Sequence, residues 1–315
     1  MPAATIEFSI QAEPKDAATW ADLARRSEDL GMRALLVPDH PGVGASPFVA
    51  LGAAAAVTTS LRLGSYVLNA GVREAVHIAS DVATLDVISG GRAEAGLGAG
   101  HTPAEWKMIG RTRPAARGRV EHLIATASTV RRLLDGGTVP VGDGGSAAQQ
   151  PALTDLRLDE PRPVQSHVPL LVGGTSATML HWAGVNADAV GLTGLGPTGS
   201  DGHRHEITWS RQQVDRHVDW VRQGAEHAGS AMPDLEVLVQ MLIVTEDREE
   251  TIAGLAADLD ARPEQLADVP YVLIGTRDQI VEQLLRAERR WGISRFVVRA
   301  DALDAAGNLL RILRG

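Results

Sequence analysis

Apolar residues arrive along this chain in two alternating rhythms. Short, nearly unbroken apolar runs begin at Ile6 (IEFSI), Ala34 (ALLVPDH), Leu61 (LRLGSYVLNAG), Arg92 (RAEAGLGAG), Pro169 (PLLVGG), Asp188 (DAVGLTG), Glu236 (EVLVQMLIV) and Arg295 (RFVVRA). Between them the apolar positions recur at helical spacing, as in Trp20, Leu23, Ala24 and Leu30, or Val120, Leu123, Ile124, Ala127, Val130 and Leu134. The first rhythm is that of strands and the second that of helices. Eight such strand–helix repeats in 315 residues predict an α/β chain closed into a (β/α)8 TIM barrel with loop insertions. They also predict one domain over residues 1–315, with ligand chemistry at the C-terminal ends of the strands. A doubly wound open sheet is the structural alternative. A ninth apolar run, YVLIGT from Tyr271, reads as a loop leading into a helix capped by Thr276, with Gln279 completing a capping box. The stretch DGGTVPVGDGGSAAQQ, Asp135 to Gln150, has no apolar period and reads as an exposed excursion.

Composition narrows the partners. The formal charge is -9, no Lys/Arg cluster is present, and aromatic residues make up 3%, so neither a phosphate-neutralising surface nor a base-stacking platform is expected. The chain has no cysteine, which excludes disulfides and thiolate chemistry. No run of about 18 apolar residues and no secretory leader pattern occurs, so a cytoplasmic protein without membrane contact is expected. A small molecule remains as the partner.

Candidate chemistry concentrates after the predicted strands. Asp39-His40 ends the second; the bland alternative is an Asp that caps a turn and a His satisfied by a backbone carbonyl. Ser89-Gly90-Gly91-Arg92 precedes the fourth strand, at the opposite face, and reads as a helix C-cap with a tight entry turn. Gly96, Gly98 and Gly100 lie along that strand, where small residues would leave room for a flat ring against the backbone, and His101 is the first side chain beyond them. The alternative for His101 is a cap on the turn led by Pro103. Val172-Gly173-Gly174-Thr175 closes the fifth strand just before a helix, a place where backbone N–H groups can hold a phosphate. The other histidines show no metal-ligand spacing; His203-Arg204-His205-Glu206 is the nearest to one and reads as a loop.

The segments ALLVPDH, ATLDVISGGRAEAGLGAG with Glu105 behind it, PLLVGGTSATMLHWAGVNADAVGL and VLIGTRDQIVEQLLRAERRWGISRFVV, in this order, resemble the luciferase-like flavin and deazaflavin oxidoreductases. More narrowly they are similar to the actinobacterial branch predicted to use coenzyme F420. The resemblance runs from Ile6 to Val298. It implies a barrel with the deazaflavin ring across its C-terminal mouth, exchanging a hydride with a small organic substrate, most simply by reduction of a C=C, C=N or C=O bond. It also implies a homodimer. By the same resemblance a non-proline cis peptide falls at Tyr66-Val67 behind the ring, with Asn69 at the ring edge. Asp39 is implied as a ring contact, His40 as the catalytic His, Ala99 and Gly100 as cofactor-contacting backbone, and Val172, Gly173, Gly174 and Thr175 as the phosphate loop. His40 and His101 compete for the role of proton donor. Three departures stand out: Glu74-Ala75 replaces the usual His-Pro, no Trp follows His40, and His101 stands where the sugar-phosphate dehydrogenases have Glu. Sugar-phosphate oxidation is therefore not expected. The rival readings are an FMN-dependent monooxygenase on the same barrel and a barrel that binds a flavin-like ligand without turnover.

Overall fold

The computed structural model describes residues 5–140, 155–198, 205–207 and 209–315. Eight parallel strands form its centre: β1 (Glu7–Gln11), β2 (Ala34–Val37), β3 (Arg62–Ser65, resumed at Leu68–Asn69), β4 (Ala93–Gly98), β5 (Leu170–Gly173), β6 (Ala189–Leu192), β7 (Asp234–Leu238) and β8 (Ile293–Arg299). Each pairs with its sequence neighbour, β8 pairs back onto β1, and the ring is a closed (β/α)8 barrel. The helices that follow them are α1 (Ala17–Asp29), α2 (Pro47–Ala55), α3 (Ala75–Ser89), α4 (Ala116–Leu134), α5 (Ala177–Asn186), α6 (Arg211–Ala228), α7 (Arg277–Trp291) and α8 (Leu303–Arg314). Among the described residues no helix is long and apolar enough to cross a membrane.

Two apolar compartments result from the alternation of side chains along each strand. The larger lies between strands and helices and includes Phe8, Leu35, Leu63, Leu97 and Val172. The smaller fills the barrel lumen: Ala34, Leu36, Tyr66, Leu171, Ala189, Leu238 and Val297. Below this apolar layer, at the N-terminal end, the lumen is ionic. The Arg33 guanidinium donates to Glu94 at 2.8 and 2.9 Å and to Glu236 at 3.3 Å, and Arg62 reaches Glu94 at 3.1 Å.

The third strand breaks its ladder. A cis peptide joins Tyr66 to Val67, as the family resemblance implies, and the bulge turns both side chains toward β4, β5 and β6. These three strands answer with glycine. A Cβ on Gly96 would lie 2.0 Å from the Ser65 carbonyl oxygen, one on Gly98 2.5 Å from Val67 Cγ2, one on Gly173 of β5 3.4 Å from Val67 Cγ1, and one on Gly191 2.8 Å from the Tyr66 hydroxyl. Gly96 and Gly98 thus correct the sequence-based reading. The room they leave is filled by the bulge itself and not by a ring laid on β4.

Other differences have local causes. YVLIGT, expected as a loop, contains the strand Val272–Gly275, which pairs in parallel with Met241–Val244. The run from Glu236, expected as one strand, is divided where Gln240 N–H and Met241 N–H turn to the Tyr271 carbonyl, so its second half leaves the barrel. The capping box of Thr276 and Gln279 forms as expected. Gly90 is the left-handed C-cap of α3, and Arg92 behind it donates to carbonyls of Ala55, Thr58, Leu61 and Ser89, stitching the lower face. The excursion is bracketed by the antiparallel pairing of Val139–Pro140 with Asp155–Leu156. Residues 141–150 of it, and His203 and Arg204, lie outside the described residues.

A stability test follows from the bulge. Gly96→Ala forces backbone against backbone and should lower the unfolding free energy by about 1–3 kcal/mol, the cost of overpacking a tight core. Gly254→Ala, on a helix where an added Cβ meets nothing within 4 Å, should raise it by about 0.4–1 kcal/mol. Urea denaturation of the two variants should move the midpoint in opposite directions.

Candidate active site

At the C-terminal mouth, the ends of β2, β3 and β4 bring together residues distant in sequence. Asp39 sits two residues beyond β2 and is buried. Its carboxylate accepts two hydrogen bonds from the Arg73 guanidinium, 2.7 and 2.8 Å, and a third from the Asn69 N–H at 3.1 Å. The pair therefore clamps the resumed half of β3 to the end of β2. His40, next in sequence, is half-exposed, and its Nδ1 lies 2.8 Å from Glu105 Oε1. The other oxygen of Glu105 accepts from the Asn69 amide at 2.5 Å, while the Asn69 amide oxygen accepts from Gly71 N–H at 2.9 Å.

Glu105 is thus the hub of a His–Glu–Asn set. It stands in the first turn of the short helix Pro103–Met108 and is 3% exposed. The hydrogen bond that His40 donates to Glu105 raises the His40 pKa above its ordinary value; burial opposes this, and the charges of Glu105, Asp39 and Glu13 add to the rise. For Glu105 itself, burial pushes the pKa up, but the bonds from His40 and Asn69 and the charges of His40 and His101 outweigh it, so the carboxyl titrates below its usual range. Both shifts favour the charged pair. The bland reading of His40, a ring satisfied by a backbone carbonyl, is replaced by a carboxylate partner.

His101 joins the group. Its ring meets that of His40 edge-on, with centroids 5.8 Å apart and planes at 79°. Gly100 before it has φ +67°, and a Cβ there would strike the Asn69 amide, so the β4 turn can close over Asn69 only with glycine. Glu74, where the family has His, forms an ion pair with Arg111, whose guanidinium also donates to the Gly71 carbonyl at 3.2 Å. That contact ties the loop after β4 to the loop after β3.

The remaining expected residues lie around the mouth in different ways. The Tyr66 side chain points down into the lumen, and burial pushes its hydroxyl pKa well up; Val67 stays partly exposed on top of the inner cluster. The Tyr66 carbonyl accepts 2.7 Å from the Gln11 amide. Val172 is fully buried among the strand–helix contacts, so it offers the mouth only its backbone. Gly173, Gly174 and Thr175 are partly exposed directly before α5, whose N-cap Ser176 side chain accepts from Met179 N–H. Ala99 and Gly100 are likewise partly exposed. Sequence reading quoted Glu105 but gave it no role; its place one helical step behind His101 was the available signal.

Asp39→Ala should lower stability by about 1–3 kcal/mol by stranding a half-buried guanidinium. The Asp39→Ala/Arg73→Ala double variant should lose less than the sum of the single losses, a coupling of about 1 kcal/mol or more. Additive losses in denaturant melts would show that the clamp does not act as a pair.

Comparison with known proteins agrees with this geometry. The family model described as Luciferase-like monooxygenase matches residues 4–295. The 5,10-methylenetetrahydromethanopterin reductase of Methanopyrus kandleri is 26% identical over 293 residues, covering 89% of this chain and 75% of the relative. Among solved structures, a monooxygenase from Streptomyces bottropensis superposes with a TM-score of 0.74 at 20% identity, covering 97% of each chain. An F420-dependent secondary alcohol dehydrogenase, solved with an F420–acetone adduct, does so with a TM-score of 0.72 at 17% identity, covering 98% of each. With a closed barrel, a bulged third strand and a family match over nearly its whole length, the chain belongs to the luciferase-like monooxygenase family.

Proposed function

We propose that the protein is an F420-dependent oxidoreductase that reduces a C=C, C=N or C=O bond of a small organic substrate. The observation that carries this reading is the His40–Glu105–Asn69 set at the mouth of the barrel. Reduction of a polarised double bond needs a proton as well as a hydride, and a histidine whose pKa is raised keeps a proton available at neutral pH. With Nδ1 held by Glu105, Nε2 is the nitrogen through which His40 can deliver it. His101, edge-on to that ring, is the second candidate donor.

The residues present suit the cofactor. Val67 gives an apolar floor beside the partly exposed small residues Ala99 and Gly100, fit for a planar ring. Gly173, Gly174 and Thr175 lead into a helix N-terminus, which favours a phosphate. Asp39 and Asn69 keep the bulge in register with β2. When bound, F420 supplies the hydride from C5 of its reduced ring. The sequence similarity to the methanopterin reductase of Methanopyrus kandleri, together with the fold shared with a coenzyme F420-dependent tetrahydromethanopterin reductase from that organism, supports F420 over FMN.

Side-by-side spectroscopic titration should show saturable F420 binding and no comparable FMN binding. FMN binding in the low micromolar range without an F420 signal would sink the proposal. Activity is read as oxidation of reduced F420 against a panel of imines, enones and ketones. There His40→Ala should lower kcat at least tenfold, and up to the about 10²–10⁴-fold typical of general acid catalysis, with F420 affinity nearly unchanged; His101→Ala should lose less.

The pH profile gives an independent check. Because the His40 pKa is raised, the protonated donor persists as pH climbs past the ordinary imidazole value of about 6.5, and turnover falls only above the raised value. Glu105→Gln removes the charge that raises it, so the fall should move to lower pH. An unchanged alkaline limb in that variant would detach Glu105 from the proton-donating group.

A further inference from the structure

The mouth carries a second polar row, which runs from β6 round to β1 and ends at the bulge of β3. Along β8 the side chains of Arg295, Val297 and Arg299 fall on one face, and Val297 belongs to the lumen cluster. Arg299 therefore crowns the lumen. It is paired in register with Gln11 of β1, as Val297 is with Ser9. Gln240 stands two residues beyond the lumen residue Leu238 of β7.

Hydrogen bonds join these residues into a rim. The Gln240 amide donates to the Thr193 carbonyl at 2.9 Å, and the Arg299 guanidinium donates to Gln240 Oε1 at 3.5 Å and to Gln11 Oε1 at 3.1 Å. Gln11 in turn donates to the Tyr66 carbonyl at the cis bulge. The row spans the tops of β6, β7, β8, β1 and β3.

Its charge is unbalanced. Arg33, Arg62, Arg73 and Arg295, close to the lumen or the mouth, each meet a carboxylate within 3.1 Å, and Arg111 pairs with Glu74. Arg299 is exposed, its hydrogen bonds go to neutral amide oxygens, and no carboxylate stands within ion-pair distance of it among the described residues. Two glutamines fix the guanidinium without neutralising it. A fork of N–H donors held in this way is suited to an oxyanion, which it can meet with two parallel charge-assisted bonds.

We propose that Arg299 is the substrate-recognising residue of this mouth and that the substrate carries an oxyanion, a carboxylate or a phosphate, held by Arg299 while its reducible bond faces His40. The role in reduction rests on the proposed function; the anion contact does not.

The test follows the arginine Nε–H resonances of the isotopically labelled full chain, with the Arg299 signal assigned by its loss in Arg299→Gln. Acetate, inorganic phosphate and the neutral control acetamide are titrated separately, first without F420 and then with it. A saturable shift of the Arg299 signal with acetate or phosphate, absent with acetamide and retained with F420 present, is the expected result. The stronger of the two anions identifies the group. F420 affinity should change less than twofold in Arg299→Gln. No saturable shift with either anion would overturn the proposal. Loss of the anion response once F420 binds, or a tenfold loss of F420 affinity in Arg299→Gln, would also overturn it, because the guanidinium would then serve the cofactor. If the unmodified protein fails to bind F420, the cofactor reading falls, while the cofactor-free titration still decides the role of Arg299.

Discussion

The packing of the third-strand bulge against glycine is the constraint on which the rest of the molecule depends. Ser65, Tyr66 and Val67 occupy volume that side chains on β4, β5 and β6 would otherwise take, and the glycines at 96, 98, 173 and 191 surrender it. Interiors packed to crystal density leave no slack for both. The bulge in turn decides where Asn69 emerges, and Asn69 decides how Glu105 is held. A substitution deep in the lumen therefore reaches His40 through a short chain of contacts, with no large motion required.

Around that scaffold the mouth divides by charge. On the side of β2 to β4, carboxylates are matched: Asp39 by Arg73, Glu105 by His40 and Asn69. On the side of β6 to β8, a guanidinium is held by amides alone. A histidine backed by a carboxylate thus shares the mouth with a guanidinium held by neutral amides.

The barrel was legible because eight apolar runs separated by helical spacing leave few topologies, and because caps such as Gly90 and Thr276 depend on neighbours in sequence. The division of the run after Glu236 was not legible. What splits it is the Tyr271 carbonyl, some thirty residues on, and an apolar run has the same pattern whether it stays in a sheet or leaves it. The glycine spacing of β4 correctly marked close approach, yet no local pattern could tell whether backbone, side chain or ligand does the approaching. His40 and Asp39 were visible from their place after a strand. The part played by Glu105 was not, since it requires knowing that the short helix after β4 folds back over β3.

The apolar layer through the middle of the lumen has a consequence for how this protein can change. Leu36, Leu171, Leu238 and Val297 separate the ion-paired floor of Arg33, Glu94 and Glu236 from the polar rim of Gln11, Gln240 and Arg299. The layer keeps an anchor and a workbench physically apart: the side-chain hydrogen bonds of the floor and those of the rim have no member in common. Substitutions at the rim remove no hydrogen bond of the floor, so side chains at the top of the barrel can be exchanged while the contacts beneath remain as they were.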